Sequence, residues 1–470
     1  MRGNVLGELQ YAADLDKNVY QGGIVILKNF MEKQQKPYLF LDTGNNLCPT
    51  PENIFSRGDY ILKFMEDLHY DAMSLGSCEF SWGQANLRRF SSFLSFPFLS
   101  ANIEDKTKGS KSFFIPYTVK SIKGVKFGII GVSSEETLIR NLDSQVKDFE
   151  MKPIFQTLKK YIKILKEDEK VDVVIVLSRF DVSENPEGDE ENAIRIDNIM
   201  LANEIPNIDI IIGRGTDFSF YPEGVIASES KTIICQPLNK AKAVGKLSLV
   251  VRQINKKVVT FNNELILLQE EDAGQDYSEF TNIKQKHLDT SIGRTEFLLS
   301  KKKEEASNLG MLITDTMRKK TEADIALLEN KDIINSLHIG KITYRDVFHI
   351  FAYDYKIIVE ELEGRDIKKL LEMGIYNSGE NYINVSGFKY SFDKSLPVYS
   401  KVTAIIMDTE QDFEEDKIYK VALLERMLNT KIDSKIYRTA KKISYTDFTI
   451  REIIEDYIGT HVPIEEKYRD

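Results

Sequence analysis

The chain offers few histidines for metal or acid–base chemistry. It contains five histidines, and His69 is the only one among the first 286 residues. Four carboxylates are the other candidates: Asp42, Glu79, Asp181 and Asp217 could together form an oxygen-ligand site for one Ca²⁺ or Mg²⁺. Polar residues beside strand ends also hydrogen-bond loop backbone, which is the alternative interpretation of Asp42 and Glu79.

The elements that must position these residues are short apolar runs separated by helical stretches. Each run is rich in residues suited to buried strands and is followed by polar or glycine-containing residues. The runs are 38–41, 127–132, 173–177 and 208–212, and helical stretches lie at 154–166 and 193–202. The pattern predicts an α/β domain whose loops after the strands carry a site, closed by antiparallel strands at 246–251 and 258–261.

A polar, acidic stretch at residues 269–287 separates the two halves of the chain. The second half opens on an amphipathic helix with apolar or small residues at helical spacing, namely Leu309, Leu312, Ile313, Thr316 and Met317. Mixed strands and short helices follow, such as a helix at 366–372. We therefore predict a first domain at 1–270, a linker helix at 271–290 and a second domain at 291–470.

Composition excludes several classes of protein. The chain has 470 residues, 42% of them hydrophobic and 29% charged, which suits a globular protein of two or three domains. The net charge is −10 and no basic stripe stands out, so we expect no nucleic-acid partner. We find no transmembrane segment and no signal peptide, so we expect either a mature or truncated chain or a cytoplasmic one.

The cysteines indicate little about structure. Cys48, Cys78 and Cys235 show no CxxC spacing. Their odd number argues against a disulfide framework and says little about the redox compartment.

Several segments, taken in order, match the motifs of one protein family. Residues 42–45 (DTGN) look like D-x-G-D, 76–81 (GSCEFS) like G-N-H-E-F-D, 172–179 (DVVIVLSR) like a strand ending in a ligand histidine, and 209–217 (DIIIGRGTD) like the strand before G-G-H-T-H. Residues 307–318 and 323–330 look like an S-N-L-G helix and an A-D-x-A-x-x-N strand. From about residue 3 to about residue 427, the chain resembles the 5'-nucleotidase family.

The resemblance implies a fold and a chemistry. The implied fold class is α/β plus α+β: a four-layer metallophosphoesterase-like sandwich followed by a mixed α/β C-terminal domain. The implied chemistry is hydrolysis of phosphate esters by two metal ions that activate a water, with carboxylate and imidazole ligands and a histidine that assists the leaving group. The resemblance also implies a bacterial protein of the periplasm or cell surface, whose first strand would precede Asn4, so we expect a truncated start.

At the positions that match the family's ligands, this chain carries other residues. They are Asn4 and Leu6 for D-x-H, Asn45 for the ligand aspartate after Asp42, Ser77 for the ligand asparagine, Cys78 for the catalytic histidine, Arg179 for the third-strand histidine, and Gly215 and Asp217 for G-H-x-H. The fixed charge of Arg179 would repel a dication. The sequence therefore predicts no catalytic residue, no metal site and no cofactor, with a divalent metal as the one cofactor that could still bind.

Three residues have alternative interpretations. Cys78 is either a reactive thiol, with a pKa lowered by Arg179, or a small buried replacement for the histidine. Arg179 and Arg214 either bind an anion such as phosphate or form surface contacts and salt bridges. Tyr382 matches the first of two aromatic rings that stack on the nucleotide base in the family, and its alternative role is packing.

The substrate side of the C-terminal half also departs from the family. The N-G-G-x-R motif is replaced at 330–334, so its arginine is lost, and the P-F-x-N turn is replaced at 352–355. The loop that should carry the second aromatic ring reads NTKIDS at 429–434. We therefore expect a catalytically silent protein that binds or scaffolds, with an unknown protein partner. The alternatives are a divergent metal-dependent phosphohydrolase acting on nucleotides and a sensor that binds a nucleotide or phosphate.

Overall fold

The structure is a computed structural model that describes most of the chain. The described residues are 8–12, 17–48, 50–107, 112–139, 141, 143–180, 197–214, 224–227, 230–269, 288–302, 305–351, 354–376, 382–397, 399–409, 412–429 and 442–469. The chain divides into two compact units, Met1–Thr281 and Asn282–Asp470. The linker helix predicted for 271–290 falls mostly on residues 270–287, which lie outside the described residues.

Two sheets with parallel strands form the centre of the N-terminal unit. The strands of this unit are β1 Glu8–Ala12, β2 Lys17–Gln21, β3 Leu41–Asp42, β4 Ala72–Ser74, β5 Phe98–Leu99, β6 Ile103–Asp105, β7 Tyr117–Ile122, β8 Val125–Val132, β9 Phe149–Met151, β10 Val173–Ser178, β11 Ile210–Ile212, β12 Val225–Ile226, β13 Ile233–Cys235, β14 Ala243–Val251 and β15 Val258–Leu267. One sheet has the order β12-β13-β11-β10-β8-β7, with β8, β10, β11 and β13 parallel, and the other is the parallel sheet β3-β4-β5. Parallel strands end at the same edge of a sheet, so the residues that follow them lie together.

Helices cover the outer face of each sheet. They are α1 Ile24–Glu32, α2 Pro51–Phe55, α3 Asp59–Asp67, α4 Ser77–Phe80, α5 Gly83–Phe93, α6 Glu136–Ile139, α7 Asp143–Val146, α8 Ile154–Glu167 and α9 Asn198–Glu204. Buried groups that include Ile26 and Phe98 fill the space between α1, α3, α5 and the small sheet. The sheets meet through Leu99 and Ile129, and α8 and α9 cover the large sheet through residues such as Leu158. This is the predicted four-layer sandwich.

Apolar periodicity explains most of these elements. The predicted helix 154–166 forms α8, which buries Ile154, Leu158, Ile162 and Leu165 on one face. The predicted strands 127–132 and 173–177 form β8 and β10, and the predicted antiparallel pair forms β14 and β15. The run 38–41 gives only the short strand β3. Just before β3, the N–H of Phe40 donates to the side chain of Asp71 at 2.9 Å instead of to a neighbouring strand.

The C-terminal unit is built on a five-stranded sheet in the order β20-β17-β23-β19-β24. Its strands are β16 Ser291–Thr295, β17 Ile325–Glu329, β18 Gly340–Thr343, β19 Lys356–Glu363, β20 Ile383–Ser386, β21 Phe388–Phe392, β22 Val402–Met407, β23 Ile418–Leu424 and β24 Ile443–Thr449. Its helices are α10 Asn308–Thr321, α11 Tyr344–Ile350, α12 Gly364–Tyr376 and α13 Ile450–Thr460, with 3-10 turns at Asn330–Asp332, Glu425–Asn429 and Glu466–Tyr468. Helix α10 is the predicted amphipathic helix, and it begins where the Ser307 hydroxyl accepts the N–H of Gly310 at 2.9 Å. No helix in the described parts of the chain is long and apolar enough to cross a membrane.

Candidate functional site

One buried carboxylate holds together the loops that follow β3 and β4. Glu79, in α4, accepts the backbone N–H groups of Asn45 at 2.9 Å, Asn46 at 2.7 Å, Leu47 at 3.1 Å and Gly76 at 2.8 Å. Hydrogen bonds to an ionised acceptor are about twice as strong as neutral ones, so this arrangement clamps both loops. Burial raises the pKa of Glu79, while these amides and the charge of Arg179 oppose the rise.

Asn45, at the position of the family's ligand aspartate, forms a structural contact. Its backbone is left-handed, with φ of 63°, and its Oδ1 accepts the N–H of Cys78 at 3.0 Å. A side chain on Gly76 would approach the same oxygen to 2.1 Å, so glycine is required there. Asp42 likewise bonds its own loop, because its Oδ1 accepts the N–H of Gly44 at 2.7 Å. The described contacts of these side chains are therefore loop hydrogen bonds.

Cys78 is joined to Cys48 by a disulfide. The expectation against disulfides is wrong, and Cys78 is not the reactive thiol that one interpretation allowed. The bond forms because the two loops bring the Cα atoms to 4.5 Å, although 30 positions separate the residues in sequence. The remaining cysteine, Cys235, is free and buried, and burial raises the pKa of its thiol to about 12.

Arg179 follows β10 and reaches the loop after β3. Its side chain is 7% exposed, and its Nη1 donates to the carbonyl oxygens of Thr43 at 3.2 Å and Gly44 at 3.5 Å. Its Nε lies 3.1 Å from where a Cβ on Gly76 would stand. The guanidinium thus lies among the loops that follow β3, β4 and β10, where the family resemblance places the metal ions.

A polar network beneath these loops fixes their positions. Asn102 donates to the carbonyl of Ser133 at 2.7 Å and accepts its N–H at 2.9 Å. The Ser133 hydroxyl donates to the carbonyl of Leu75 at 2.9 Å, which ties the end of β8 to the end of β4. The Ser178 hydroxyl, just before Arg179, donates to Asn198 at 2.5 Å. The side chains of Asn102, Ser133 and Ser178 are therefore held by protein partners.

Several predicted positions cannot be compared with this geometry. Asn4, Leu6, Asp181, Gly215 and Asp217 lie outside the described residues. Ser77 begins α4 directly beside Cys78. Arg214 follows β11 and is half-buried. The four-carboxylate site and the paired-arginine site therefore stay predictions.

In the C-terminal unit, the predicted stacking residue is packed. Tyr382 is 9% exposed, and its ring centroid lies 6.1 Å from that of Tyr390 and 6.2 Å from that of Phe392. Burial raises the pKa of its hydroxyl. The described contacts of the Tyr382 ring are with aromatic rings of its own unit.

A buried ion-pair cluster lies where the family's N-G-G-x-R motif would stand. Arg426 forms a bidentate pair with Asp332 and also contacts Glu329. Beside this cluster, the Nδ2 of Asn384 donates a hydrogen bond to the side-chain oxygen of Asn330 at 2.7 Å. Sequence reasoning missed this cluster because Arg426 is 94 residues from Asp332. The one available signal was an acidic residue at a position where the family has glycine.

The chain is similar in sequence and in fold to known 5'-nucleotidases. Residues 285–431 match the family model described as 5'-nucleotidase, C-terminal domain. A 5'-nucleotidase of Vibrio parahaemolyticus is 23% identical over 500 residues, which cover 93% of this chain and 84% of that protein. Residues 285–431 therefore match a 5'-nucleotidase C-terminal domain, and the chain as a whole is similar to 5'-nucleotidases. It is also 24% identical over 408 residues to the trifunctional nucleotide phosphoesterase protein YfkN of Bacillus subtilis, a match that covers 75% of this chain and only 27% of that protein.

The fold of the 5'-nucleotidase family extends over both units. The crystal structure of the 5'-nucleotidase precursor from Thermus thermophilus matches with a TM-score of 0.69 at 24% identity, covering 98% of this chain and 94% of that chain. At this identity the likeness concerns the fold alone. The predicted fold class, a metallophosphoesterase-like sandwich followed by a 5'-nucleotidase C-terminal domain, is confirmed.

The expectation that no cofactor is needed is wrong. The relatives are named 5'-nucleotidases, and enzymes of that kind depend on a divalent metal, which contradicts the expectation. The described residues at the ligand positions do not fit a two-metal centre of the family type. Asn45 is neutral, and its side-chain oxygen accepts a hydrogen bond from the N–H of Cys78. The Arg179 guanidinium lies among the loops that follow β3, β4 and β10.

Proposed function

We propose that this 5'-nucleotidase-family protein has lost the two-metal phosphohydrolase site and acts by binding rather than by hydrolysis. The observation that supports the proposal most is the position of Arg179, which contacts carbonyl groups of the loop after β3. A unit charge about 4 Å from a dication is unfavourable by about 8 kcal/mol at an effective dielectric of about 20. Guanidinium stays protonated at every working pH, so proton release cannot remove this repulsion.

The position of the catalytic histidine supports the same proposal. A histidine in this place would transfer a proton in hydrolysis. Cys78 stands there instead. Its sulfur forms a disulfide with Cys48 and therefore cannot transfer a proton. A ligand or partner can still bind to a surface whose loops are fixed by the Glu79 clamp.

Hydrolysis assays test the loss of catalysis. The full chain would be incubated with 5'-AMP and with p-nitrophenyl phosphate, each with millimolar Mn²⁺, Mg²⁺, Zn²⁺ or Ca²⁺. The Vibrio parahaemolyticus 5'-nucleotidase would show that the assay works. We expect phosphate release no faster than in buffer, whereas metal-dependent release that EDTA abolishes would overturn the proposal.

Calorimetric titration with 5'-AMP then separates two kinds of binding role. A saturable heat without turnover would support the nucleotide-sensing alternative. An absence of heat would favour a scaffold for a protein partner. The hydrolysis assays and the titration would use the full chain with its disulfide intact, because Cys48–Cys78 joins the two loops at the site.

We also propose that the protein works in an oxidising compartment, at the cell surface or in the periplasm. Disulfides persist in such compartments and are rare in the cytosol, which makes Cys48–Cys78 the supporting observation. Alkylation of the protein in its native cells, without reductant, would measure the free thiols. We expect Cys235 alone to react after denaturation, and reaction of all three cysteines would contradict the proposal.

A further inference from the structure

The C-terminal unit contains an open cavity of about 570 Å³, whose lining includes neither Tyr382 nor the Arg426–Asp332 pair. Its floor is formed by Leu337 and Ile342, which are almost fully buried. Basic side chains surround it, namely Lys301, His338, Lys341 and His349. Small-molecule sites have volumes of roughly 300–1,000 Å³, so the cavity is large enough for an organic ligand.

The walls of the cavity are held in place by hydrogen bonds within the unit. Leu299 and Leu337 exchange backbone hydrogen bonds at 3.0 and 2.9 Å, which joins two of the lining segments. The N–H of Ile334 donates to the carbonyl of Ile350 at 2.7 Å, and the Asn335 side chain donates to the carbonyl of His349 at 2.8 Å. A preformed site loses little conformational entropy when a ligand binds.

The charge of the cavity favours an anion. Among the residues that the structure describes, neither Lys301 nor Lys341 forms an ion pair. Among the described residues that line the cavity, Asp346 is the one acidic residue. Its Oδ2 already accepts the N–H and the hydroxyl of Thr343 at 2.7 and 2.6 Å. The two lysine charges therefore exceed the single negative charge of Asp346 among the described lining residues. The excess positive charge favours binding of an anion.

The remaining lining favours an apolar group on the same ligand. Leu298, Ile334 and Ile339 are 44%, 40% and 66% exposed, and all three line the cavity. Apolar area that is exposed around a concave site is stabilised when a ligand covers it. We propose that this cavity binds a small amphiphilic anion, a carboxylate or phosphate group carried on a short apolar or aromatic body.

Calorimetric titration of the full chain tests this site independently of hydrolysis. The probes are phenylphosphonate, whose carbon–phosphorus bond is not a phosphate ester, and benzoate, with neutral benzyl alcohol for comparison. We expect saturable binding of at least one anion, and the tighter anion identifies the phosphate or carboxylate class. No saturation by either anion, or equal affinity for benzyl alcohol, would overturn the proposal.

Matched variants localise the binding. Lys301→Ala with Lys341→Ala should weaken the anion about tenfold, because two charged donors are lost. Lys356→Ala with Lys389→Ala removes the same charge from exposed positions that do not line the cavity, and should leave the affinity unchanged. Ile339→Asn should weaken phenylphosphonate about threefold, because apolar cover is lost, and leave inorganic phosphate unaffected. Equal effects of the two lysine pairs would place the binding elsewhere and contradict the proposal.

Discussion

Two buried glutamates, one in each unit, have opposite surroundings. Glu79 and Glu360 have no exposed side-chain area. Glu79 accepts four backbone N–H groups, whereas neither carboxylate oxygen of Glu360 has a hydrogen-bond partner among the described residues. Burial raises the pKa of both, to about 8 for Glu360, but the amides and Arg179 oppose the rise at Glu79.

Glu79 therefore serves the fold as an anion, whereas Glu360 is buried as a neutral acid. Glu79 clamps the loops at which the family carries out its chemistry. Glu360 lies in β19, on the same face as the buried Ile358 and Leu362, where an isolated ionised carboxylate would be costly. The described contacts of Glu79 are therefore structural, since its carboxylate accepts backbone N–H groups of both loops.

The largest expected effect is the loss of the Glu79 clamp. Glu79→Ala should lower the free energy of unfolding of the N-terminal unit by about 4 kcal/mol, because four backbone N–H groups, three of them buried, and the Arg179 charge lose their partner. Trp82, the one tryptophan of the chain, lies beside the clamp with its Nε1 2.5 Å from the carbonyl of Leu47, so its fluorescence reports unfolding in urea. Glu204→Ala, on the exposed end of α9, is the control and should change stability by no more than about 0.5 kcal/mol. A similarly small change in stability for both variants would show that Glu79 does not stabilise the two loops.

The next effect concerns the pH dependence of the C-terminal unit. The pKa of Glu360 is about 8 in the folded state against an ordinary value of 4.5, so its contribution to stability is fully present below pH 4.5 and is lost as the pH rises through 8. Between about pH 5 and about pH 9 this costs on the order of 3 kcal/mol. Hydrogen exchange of the β19 backbone amides, measured at several pH values, would report this loss of stability. Glu360→Gln should flatten the pH dependence, whereas Glu361→Gln, whose side chain alternates to the other face, should keep it. An unchanged slope in Glu360→Gln would show that another group titrates.

The smallest of these effects is the loss of the disulfide. Cys48→Ser with Cys78→Ser should lower the stability of the N-terminal unit by about 2 kcal/mol, because the unfolded chain is no longer closed into a loop of 30 positions. The fluorescence of Trp82 again measures the urea midpoint. Reductant should shift wild type to the midpoint of the double variant and leave that variant unchanged. Identical midpoints for oxidised wild type and the double variant would contradict the bond.

The sequence was sufficient for the elements whose apolar residues recur within one turn or one strand, such as α8, β10 and α10. It was not sufficient for contacts between distant segments. The bond between Cys48 and Cys78 depends on two loops that only the folded sheet brings together, and the pairing of Arg426 with Asp332 spans 94 residues. The shortness of β3 depends on Asp71, which takes a backbone donor of Phe40. Local patterns carry no information about such partners.

A crystal structure of the full chain grown with Mn²⁺, with anomalous scattering data, would test the central claim most directly. The proposed loss of the two-metal site predicts the guanidinium of Arg179 in contact with the carbonyl oxygens of Thr43 and Gly44, as at 3.2 and 3.5 Å here, with Cys48 bonded to Cys78. Two manganese peaks a few ångströms apart at the ends of β3, β4 and β10, with Arg179 displaced, would contradict it.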